Sequence, residues 1–390
     1  MRPATTHAVG TGLLAFALLP VLAGCGSGDP ARTADPSGGS AHHATVTITS
    51  AHGCSLDRTT LGAGGITFSV KNVDATAVSE VELLSGQRIV GEKENLPPGF
   101  GGTFSVNADA GNYTLYCPGA TPERQAVTVT GTAATTDEST ATLLRKATRG
   151  YSTYVSTQVG YLLQGVRKLD RALHGGNLRA AQVAYAQARP FYEKIEPVAE
   201  SFTVGRNNLD ADIDARANDV PASRFMGFHR IEKGLFADKS LDGLAPFGDG
   251  LVRNVKKLQK LTAGLRYQPT ELANGAQELL DEVAATKVTG EEERYSHIDL
   301  LDVANNVEGA EQAFAQLTPV MKEVDGDLTE QIEHRFAALD KLVESYRDAN
   351  EPSGYRLYTT LDPSDKRQLA AAVKAVQEPL SRVAATVATA

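Results

Sequence analysis

The sequence predicts a multidomain protein in which an N-terminal β-sandwich is followed by an all-α helical bundle. Apolar residues alternate with period two between residues 44 and 131 and recur with period 3.6 from residue 141 onward. These are the periods of strands and helices respectively. The 390 residues also exceed what one hydrophobic core usually holds. We therefore expect separate domains at 44–131 and 141–390.

The first 25 residues have the pattern of an export signal that ends in a lipid attachment site. An apolar stretch from Leu13 to Val21 is followed by a lipobox that ends at Cys25. The stretch is shorter than the ~20 residues that a membrane-spanning helix needs. We expect residues 1–25 to be a lipoprotein signal peptide, Cys25 to carry the lipid, and residues 26–43 to be a flexible linker. The alternative is an ordinary signal peptide with an incidental cysteine.

The net charge limits the kinds of ligand and partner that the protein is expected to bind. The chain has 47 acidic and 38 basic residues, for a net charge of -9. Such a balance argues against nucleic acid or an anionic membrane surface as the main partner, whereas it tolerates cationic ligands.

Short alternating segments separated by Gly, Asn, Asp and Pro predict the strands of the first domain. The alternating residues are Val46/Ile48, Ile66/Phe68/Val70, Phe104/Val106, Tyr113/Leu115 and Val127/Val129. This pattern is typical of an antiparallel sandwich.

Amphipathic periodicity predicts the helices of the second domain. The first apolar stripe runs from Tyr151 to Leu173 and stops at Gly175-Gly176, and a second helix begins near Asn177, a suitable N-cap. Similar stripes recur to the C-terminus, as expected of a helical bundle.

A His-x-x-Glu motif is the sharpest chemical signal. His229 and Glu232 lie three residues apart in a predicted helix and therefore share one face. Their neighbours are apolar, so both polar groups need a partner, which a metal ion would supply. A hydrogen-bonded His–Glu pair without metal is the alternative.

Further acidic residues could complete such a site. Glu193 and Glu196, also three apart in a predicted helix, would repel each other unless a cation lay between them. Solvation at the surface is the alternative for these two glutamates. Asp214, in the following loop, could add an oxygen ligand. We expect the acidic residues 291–293 to begin a helix and to support the ligands. Carboxylates with one imidazole suit Fe, Mn or Zn.

The residues that other kinds of site would require are absent from the sequence. No H-E-x-x-H or Gly-x-Ser-x-Gly motif is present. A blue-copper site is excluded because no histidine lies between His52 and His174 and no methionine lies in the sandwich. Cys54 and Cys117 either form a disulfide or bind an ion with help from Glu80 or Glu82.

Four strings occur in order in the helical part of the sequence: YEKIEP at 192–197, IDAR at 213–216, GFHRIEK at 227–233 and GEEERYSH at 290–297. EKENLPPGF at 92–100 joins them in the sandwich. With these strings the chain resembles the EfeO family, the extracytoplasmic component of bacterial iron uptake systems. The resemblance covers about residues 44–390. It implies a cupredoxin-like β-sandwich followed by an imelysin-like helical bundle.

The same resemblance implies the roles of particular residues and partners. In the helical domain it implies iron, Fe²⁺ or Fe³⁺, held at His229, Glu232, Glu193, Glu196 and Asp214. In the sandwich it implies copper or a second iron at Cys54, Glu80 and Cys117. The implied partners are an iron permease of the membrane and a haem peroxidase of the DyP type.

Three hypotheses follow from these observations. The first is a lipid-anchored, non-enzymatic protein that captures iron outside the cytoplasm and passes it to the permease. The second is a cell-surface metallopeptidase with zinc at His229 and Glu232, because imelysin relatives were classed as peptidases. The third is a metal-free bundle with an adhesive or scaffolding role.

Overall fold

The computed structural model describes residues 41–78, 80–94, 96–202 and 208–390. The predicted signal peptide, Cys25 and linker residues 26–40 lie outside these ranges. Strands occupy the chain up to Thr130 and helices occupy it from Glu138 onward, which confirms the predicted order of a β-sheet region and a helical region. The described residues belong to one compact body. Among them, no helix is both long enough and apolar enough to cross a bilayer.

The strands of the described chain form two sheets that share one core. They are β1 (His43–Thr49), β2 (Gly53–Leu56), β3 (Thr60–Gly62), β4 (Gly64–Asn72), β5 (Val81–Ser85), β6 (Arg88–Lys93), β7 (Gly101–Ala108), β8 (Gly111–Tyr116) and β9 (Arg124–Thr130). One sheet has the order β2-β1-β4-β7 and the other β3-β9-β8-β5-β6. Apolar side chains from both sheets meet in one buried cluster, so the arrangement is a sandwich.

The expectation of an antiparallel sandwich holds for five of the seven strand pairings in the described chain and fails for two. β1 pairs with β4 in parallel, and β3 pairs with β9 in parallel. The chain leaves the first sheet to form β3 in the second and then returns to place β4 beside β1. Such a crossover brings the next strand back in the same direction. Alternation with period two reports which face is buried and carries no information on strand direction.

The helices form the second half of the described chain. They are α1 (Glu138–His174), α2 (Leu178–Glu193), α3 (Glu196–Glu200), α4 (Leu209–Asp214), α5 (Gly227–Glu232), α6 (Ala245–Thr262), α7 (Pro269–Ala285), α8 (Asp299–Val324), α9 (Gly326–Glu344), α10 (Pro363–Leu380) and α11 (Val383–Ala388). Short 3-10 turns lie at Ala222–Arg224, Lys287–Thr289 and Tyr358–Thr360, and a π-helical turn, Lys233–Ala237, follows α5.

Local sequence signals place the first helix boundaries where they were predicted. α1 ends at His174, directly before Gly175, and Asn177 caps α2 by accepting a hydrogen bond from the backbone N–H of Ala180. α1 packs against α2, α6 and α8. The apolar stripes of these helices form the larger of the hydrophobic cores.

The outer side of the sandwich packs on α7 and on the end of α3. The backbone N–H of Ile89 in β6 donates to the Ser201 carbonyl over 2.9 Å. The Asn274 side chain of α7 donates to the Ser105 carbonyl of β7, also over 2.9 Å. Arg88 forms an ion pair with Glu271. These contacts fix the β5–β6 hairpin and β7 against the helices.

Candidate metal centre

His229 is positioned by a close approach between α4 and α5. Gly227, the first residue of α5, has φ 77, and a Cβ atom there would lie 2.0 Å from the carbonyl oxygen of Ile213. Only glycine accepts both the left-handed conformation and this contact. The end of α4, with Asp214, is therefore held beside the first turn of α5, with His229.

Both ring nitrogens of His229 face carboxylates. Nδ1 lies 3.2 Å from Glu232 Oε2, and Nε2 lies 3.3 Å from Glu292 Oε1 and 3.6 Å from Asp214 Oδ1. The residue is only 1% exposed. Although burial alone would lower the pKa of His229, Asp214 and the hydrogen bonds to Glu232 and Glu292 raise it well above its usual value. The imidazolium form is therefore favoured when no other cation is bound.

Main-chain and hydroxyl donors hold the carboxylates around the imidazole. Glu232 Oε1 accepts hydrogen bonds from the backbone N–H groups of Tyr295 and Ser296, each over 2.7 Å. Glu293 Oε1 accepts from the Tyr185 hydroxyl over 2.8 Å, and Oε2 accepts from the Ser296 hydroxyl. The segment 291–297 thus supports the centre from one side.

Two overlapping sets of side chains bring three ligand atoms within 4.8 Å of one another. One set is Asp214, His229 and Glu292, and the other is His229, Glu232 and Glu293. All members are buried. Each set combines one imidazole nitrogen with carboxylate oxygens, a donor set that suits iron, manganese or zinc.

Arg189 is fully buried at the middle of these carboxylates. Its guanidinium forms ion pairs with five of them, Glu193, Asp214, Glu292, Glu293 and Asp302. The distances to Asp302 Oδ2 and Glu293 Oε1 are 2.8 Å and 3.0 Å. A buried guanidinium with carboxylate partners stays charged, so the protein supplies part of the counter-charge itself.

Lys287 is the cation between Glu193 and Glu196. Its Nζ lies 3.2 Å from Glu193 Oε2 and 3.0 Å from Glu196 Oε2. Burial raises the pKa of Glu193 to about 8, although Arg189 and Lys287 lower it. The need for a cation between these carboxylates was foreseen, but in this structure the cation is a lysine side chain.

Glu193 and Glu196 do not lie on one continuous helix, so that expectation is wrong. α2 ends at Glu193 and α3 begins at Glu196. Pro197 has no N–H to donate to the Glu193 carbonyl, and its ring would clash with that group in an α-helix. The Asn306 side chain donates to the freed carbonyl instead, over 2.8 Å. The turn directs both carboxylates toward Lys287.

Of the predicted ligands, Asp214, His229 and Glu232 converge directly. Glu193 joins them through Arg189, and Glu196 joins through Lys287, but neither belongs to the two sets around His229. Residues 291–293 do not begin a helix, since α8 starts at Asp299; Glu292 and Glu293 instead reach the centre itself. A ligand role for each residue stays a prediction.

Sequence reasoning missed Arg189, Lys287 and Asp302. Arg189 lies among Tyr185, Ala188 and Tyr192, which are all fully buried. An arginine inside an apolar helical stripe was therefore a usable signal of a buried acidic partner. Lys287 and Asp302 had no comparable signal, because their partners are distant in the sequence.

A narrow cleft leads from the surface to His229. It is lined by Arg216, Ala217, His229, Glu232, Glu291, Glu292, Arg294 and Tyr295. Arg216 at the mouth is partly exposed and lies 2.8 Å from Glu292 Oε2. Glu292 therefore links the outer arginine to the inner imidazole.

Asp210, near the centre, provides a pH-dependent test of the fold. It accepts a hydrogen bond from the Tyr192 hydroxyl, and burial raises its pKa from 3.8 to about 7. Its contribution to stability is complete below pH 3.8 and is lost as the pH rises through about 7, because the unfolded chain ionises first. We expect Asp210→Asn to match the parent near pH 4 and to melt at a higher temperature than the parent at pH 8.

Thermal unfolding in EDTA at both pH values checks this expectation. Asp327→Asn, at an exposed position on α9, is the matched control and should follow the parent throughout. An Asp210→Asn variant that loses stability with pH as steeply as the parent would contradict the assignment.

In the sandwich, Cys54 and Cys117 are joined by a disulfide, with their Cα atoms 6.5 Å apart. Of the two alternatives left open by the sequence, the structure contains the disulfide, in which neither sulfur is a thiolate. Both cysteines belong to the inner core. Glu82 alternates with the core residues Val81 and Leu83, so it points away from them on the outer face.

Comparisons with known proteins give a consistent result. The family model described as Imelysin matches residues 147–383. The iron uptake system component EfeO of Escherichia coli O157:H7 is 34% identical over 344 residues, which cover 87% of this chain and 89% of that protein. The protein of the same name from Yersinia pseudotuberculosis is 34% identical over 328 residues, covering 83% and 86%. The protein from Escherichia coli K12 is 33% identical, covering 87% and 89%.

Proposed function

The chain belongs to the EfeO family of iron uptake components, and we propose that it binds iron at the His229 centre and passes it to a membrane permease. The observation that supports this function most strongly is the convergence of Asp214, Glu292 and Glu232 on one buried imidazole. In this proposal, iron is the ion that the protein transports, and the site holds it only temporarily. The relatives carry the name of iron uptake components.

We assign iron to the Nε2 side of His229, with Asp214 and Glu292 as the accompanying carboxylates. These three ligand atoms form one compact set, and Glu292 lines the cleft that leads to the surface. On the opposite side, Nδ1 would donate its hydrogen to Glu232, which two backbone N–H groups already hold in place. A carboxylate in that position fixes the orientation of a metal-binding imidazole and makes the ring a stronger ligand.

Charge supports reversible capture at this site. The carboxylates around His229 outnumber the buried cations Arg189 and Lys287. A bound iron ion would replace the proton on His229 and would add the charge that the remaining carboxylates attract. Since protons compete for the same groups, a fall in pH should favour release.

The cellular setting remains part of the proposal. The sequence pattern of residues 1–25 predicts a lipid anchor at Cys25 and a location outside the cytoplasm. Family membership supports the expectation of an iron permease and a haem peroxidase as partners. A copper or second iron site at Cys54, Glu80 and Cys117 would require reduction of the disulfide, because thiolates and not disulfide sulfurs bind metal.

Anaerobic titration with ferrous iron, and titration with chelated ferric iron, tests the proposed function. We expect the full-length parent to bind iron and His229→Ala to bind it at least about tenfold more weakly, since even the loss of an orienting partner costs that much. His334→Ala, at an exposed position on α9, is the matched control and should bind like the parent. Circular dichroism checks that the variants are folded.

Two results would contradict this function. A parent protein that binds neither form of iron above background would remove its basis. Peptide cleavage that EDTA abolishes and zinc restores, and that His229→Ala lacks, would instead support the metallopeptidase alternative.

A further inference from the structure

The end of α1 and the first turns of α6 bring together a set of metal-ligand atoms that is separate from the His229 centre. A ring nitrogen of His174 and one carboxylate oxygen each from Asp170 and Asp249 lie within 4.8 Å of one another. Asp170 and His174 are four residues apart near the end of α1 and therefore share a face. Asp249 belongs to α6, which packs against α1. The set thus spans the contact between two helices.

A glycine allows α6 to approach Asp170 closely. Gly248 is buried, and a Cβ atom there would lie 2.7 Å from Asp170 Oδ1 and 2.8 Å from Leu173 Cδ1. A larger residue would displace both side chains from their close packing. The backbone of α6 therefore covers one side of Asp170, and the residue after the glycine, Asp249, comes to lie beside it.

Asp170 has an oxygen atom without a hydrogen-bond partner. Its Oδ1 is shielded from solvent, and His174 Nδ1 lies 3.5 Å away, too far for a hydrogen bond. Burial raises the pKa of Asp170, the neighbouring His174 lowers it, and the charge of Asp249 raises it. Two carboxylates therefore repel each other at this position, and a shielded oxygen lacks a partner, so a bound cation would satisfy both.

The ring of His174 is held in a form that can bind metal. Its Nδ1 donates a hydrogen bond to the main-chain carbonyl of Asp170 over 3.0 Å. In the neutral ring this bond leaves the lone pair on Nε2, and a carbonyl at Nδ1 is a common support for a histidine that binds metal through the other nitrogen. The side chain is 49% exposed, so an ion can reach it directly from solvent.

The charges around the set favour a cation. In the described part of the chain, neither Asp170 nor Asp249 forms an ion pair with a lysine or an arginine. Arg171 lowers the pKa of Asp170 through its charge without contacting the carboxylate. The last carbonyl groups of α1 add the partial negative charge of a helix C-terminus. This set therefore differs from the His229 centre, where Arg189 and Lys287 are built in as cations.

We propose that Asp170, His174 and Asp249 bind a divalent transition-metal ion, with Zn²⁺ as the probe, on the surface between α1 and α6. One imidazole and two carboxylates are ligands that Zn²⁺ accepts, and water can fill the fourth position of its tetrahedron. None of the three residues belongs to the His229 centre. The site is therefore independent of the proposed iron binding.

An ion at this position would join the end of α1 to the start of α6. α6 also packs against α4 and α5, which carry Asp214 and His229. Arg230, the neighbour of His229, stacks on the ring of Phe247 in α6. Binding would therefore stabilise the helices on which the His229 centre is built, and the gain would appear as a rise in melting temperature with Zn²⁺ concentration.

Equilibrium dialysis of Zn²⁺, with melting curves in EDTA and in added Zn²⁺, tests the site in full-length protein without an affinity tag. Every protein carries His229→Ala, so that zinc at that centre does not contribute. We expect the addition of His174→Ala or Asp249→Asn to weaken zinc binding at this site at least about tenfold and to reduce the rise in melting temperature. His334→Ala, at an exposed position on α9, is the matched control and should change neither quantity.

Melting in EDTA shows whether the variants remain folded. His174 and Asp249 are exposed, so both variants should melt close to their background when no metal is present. With His229 intact, His174→Ala should bind iron like the parent, so this test and the test of iron binding can fail separately. Equal zinc binding by the background protein and both variants, or a loss in His334→Ala as large as in His174→Ala, overturns the proposal.

Discussion

Replacement of Arg189 by methionine is expected to destabilise the protein by about 3–5 kcal/mol, the usual cost of removing one partner from a buried ionic network. Methionine fills much of the same volume but leaves Glu193, Asp214, Glu293 and Asp302 without their shared cation. Urea unfolding in EDTA measures the change. The variant should unfold at a lower urea concentration than the parent.

A metal ion should partly restore this variant. If the His229 centre attracts cations because its carboxylates exceed its buried positive charges, the loss of Arg189 increases that excess. Added Mn²⁺ should then raise the stability of Arg189→Met more than that of the parent. Arg149→Met, at an exposed position on α1, should change neither quantity. Equal stability of Arg189→Met and the parent in EDTA would show that the guanidinium does not neutralise the centre.

Removal of the disulfide by the double change Cys54→Ala and Cys117→Ala should lower the free energy of unfolding by about 4 kcal/mol. The bond joins residues 63 positions apart in sequence, and closing a loop of this length restricts the unfolded chain by about that amount. The bond lies within the core of the sandwich. The loss should therefore be largest in the strands, as hydrogen exchange of β1, β5 and β8 can show.

The parent protein supplies the control for this second change. A reductant should lower the stability of the parent toward that of the double alanine variant and should leave the variant itself unchanged. A reductant that destabilises both proteins equally would show that the effect arises elsewhere.

Local signals in the sequence predicted the strand region, the helical region and the boundary between α1 and α2, but not which strands pair. The end of α1 before Gly175 and the cap at Asn177 depend on a few neighbouring residues, and both were predicted correctly. The parallel pairing of β1 with β4 depends on a chain crossing between sheets. Alternating apolar residues would look the same for either direction.

In the candidate site, too, contacts between residues close in sequence were predictable, whereas contacts between distant residues were not. His229 and Glu232 share a face because they are three residues apart, so their pairing was predictable. Glu292 lies 63 residues from His229 in the sequence, and Lys287 lies 91 from Glu196. Folding creates those contacts, and the residue types alone did not indicate them. Pro197 was visible, and its effect on the helix between Glu193 and Glu196 could have been anticipated from the missing N–H.

Arg189 and Lys287 also affect the order in which folding and metal binding occur. Because these two side chains are part of the polypeptide, opposite charge is present among the acidic groups from the moment the helices assemble. The protein can therefore reach its final shape before it meets any cargo, unlike small zinc domains that stay unfolded until metal arrives. Loading and unloading then become exchanges within a finished scaffold, and a carrier emptied of its ion remains ready for the next one.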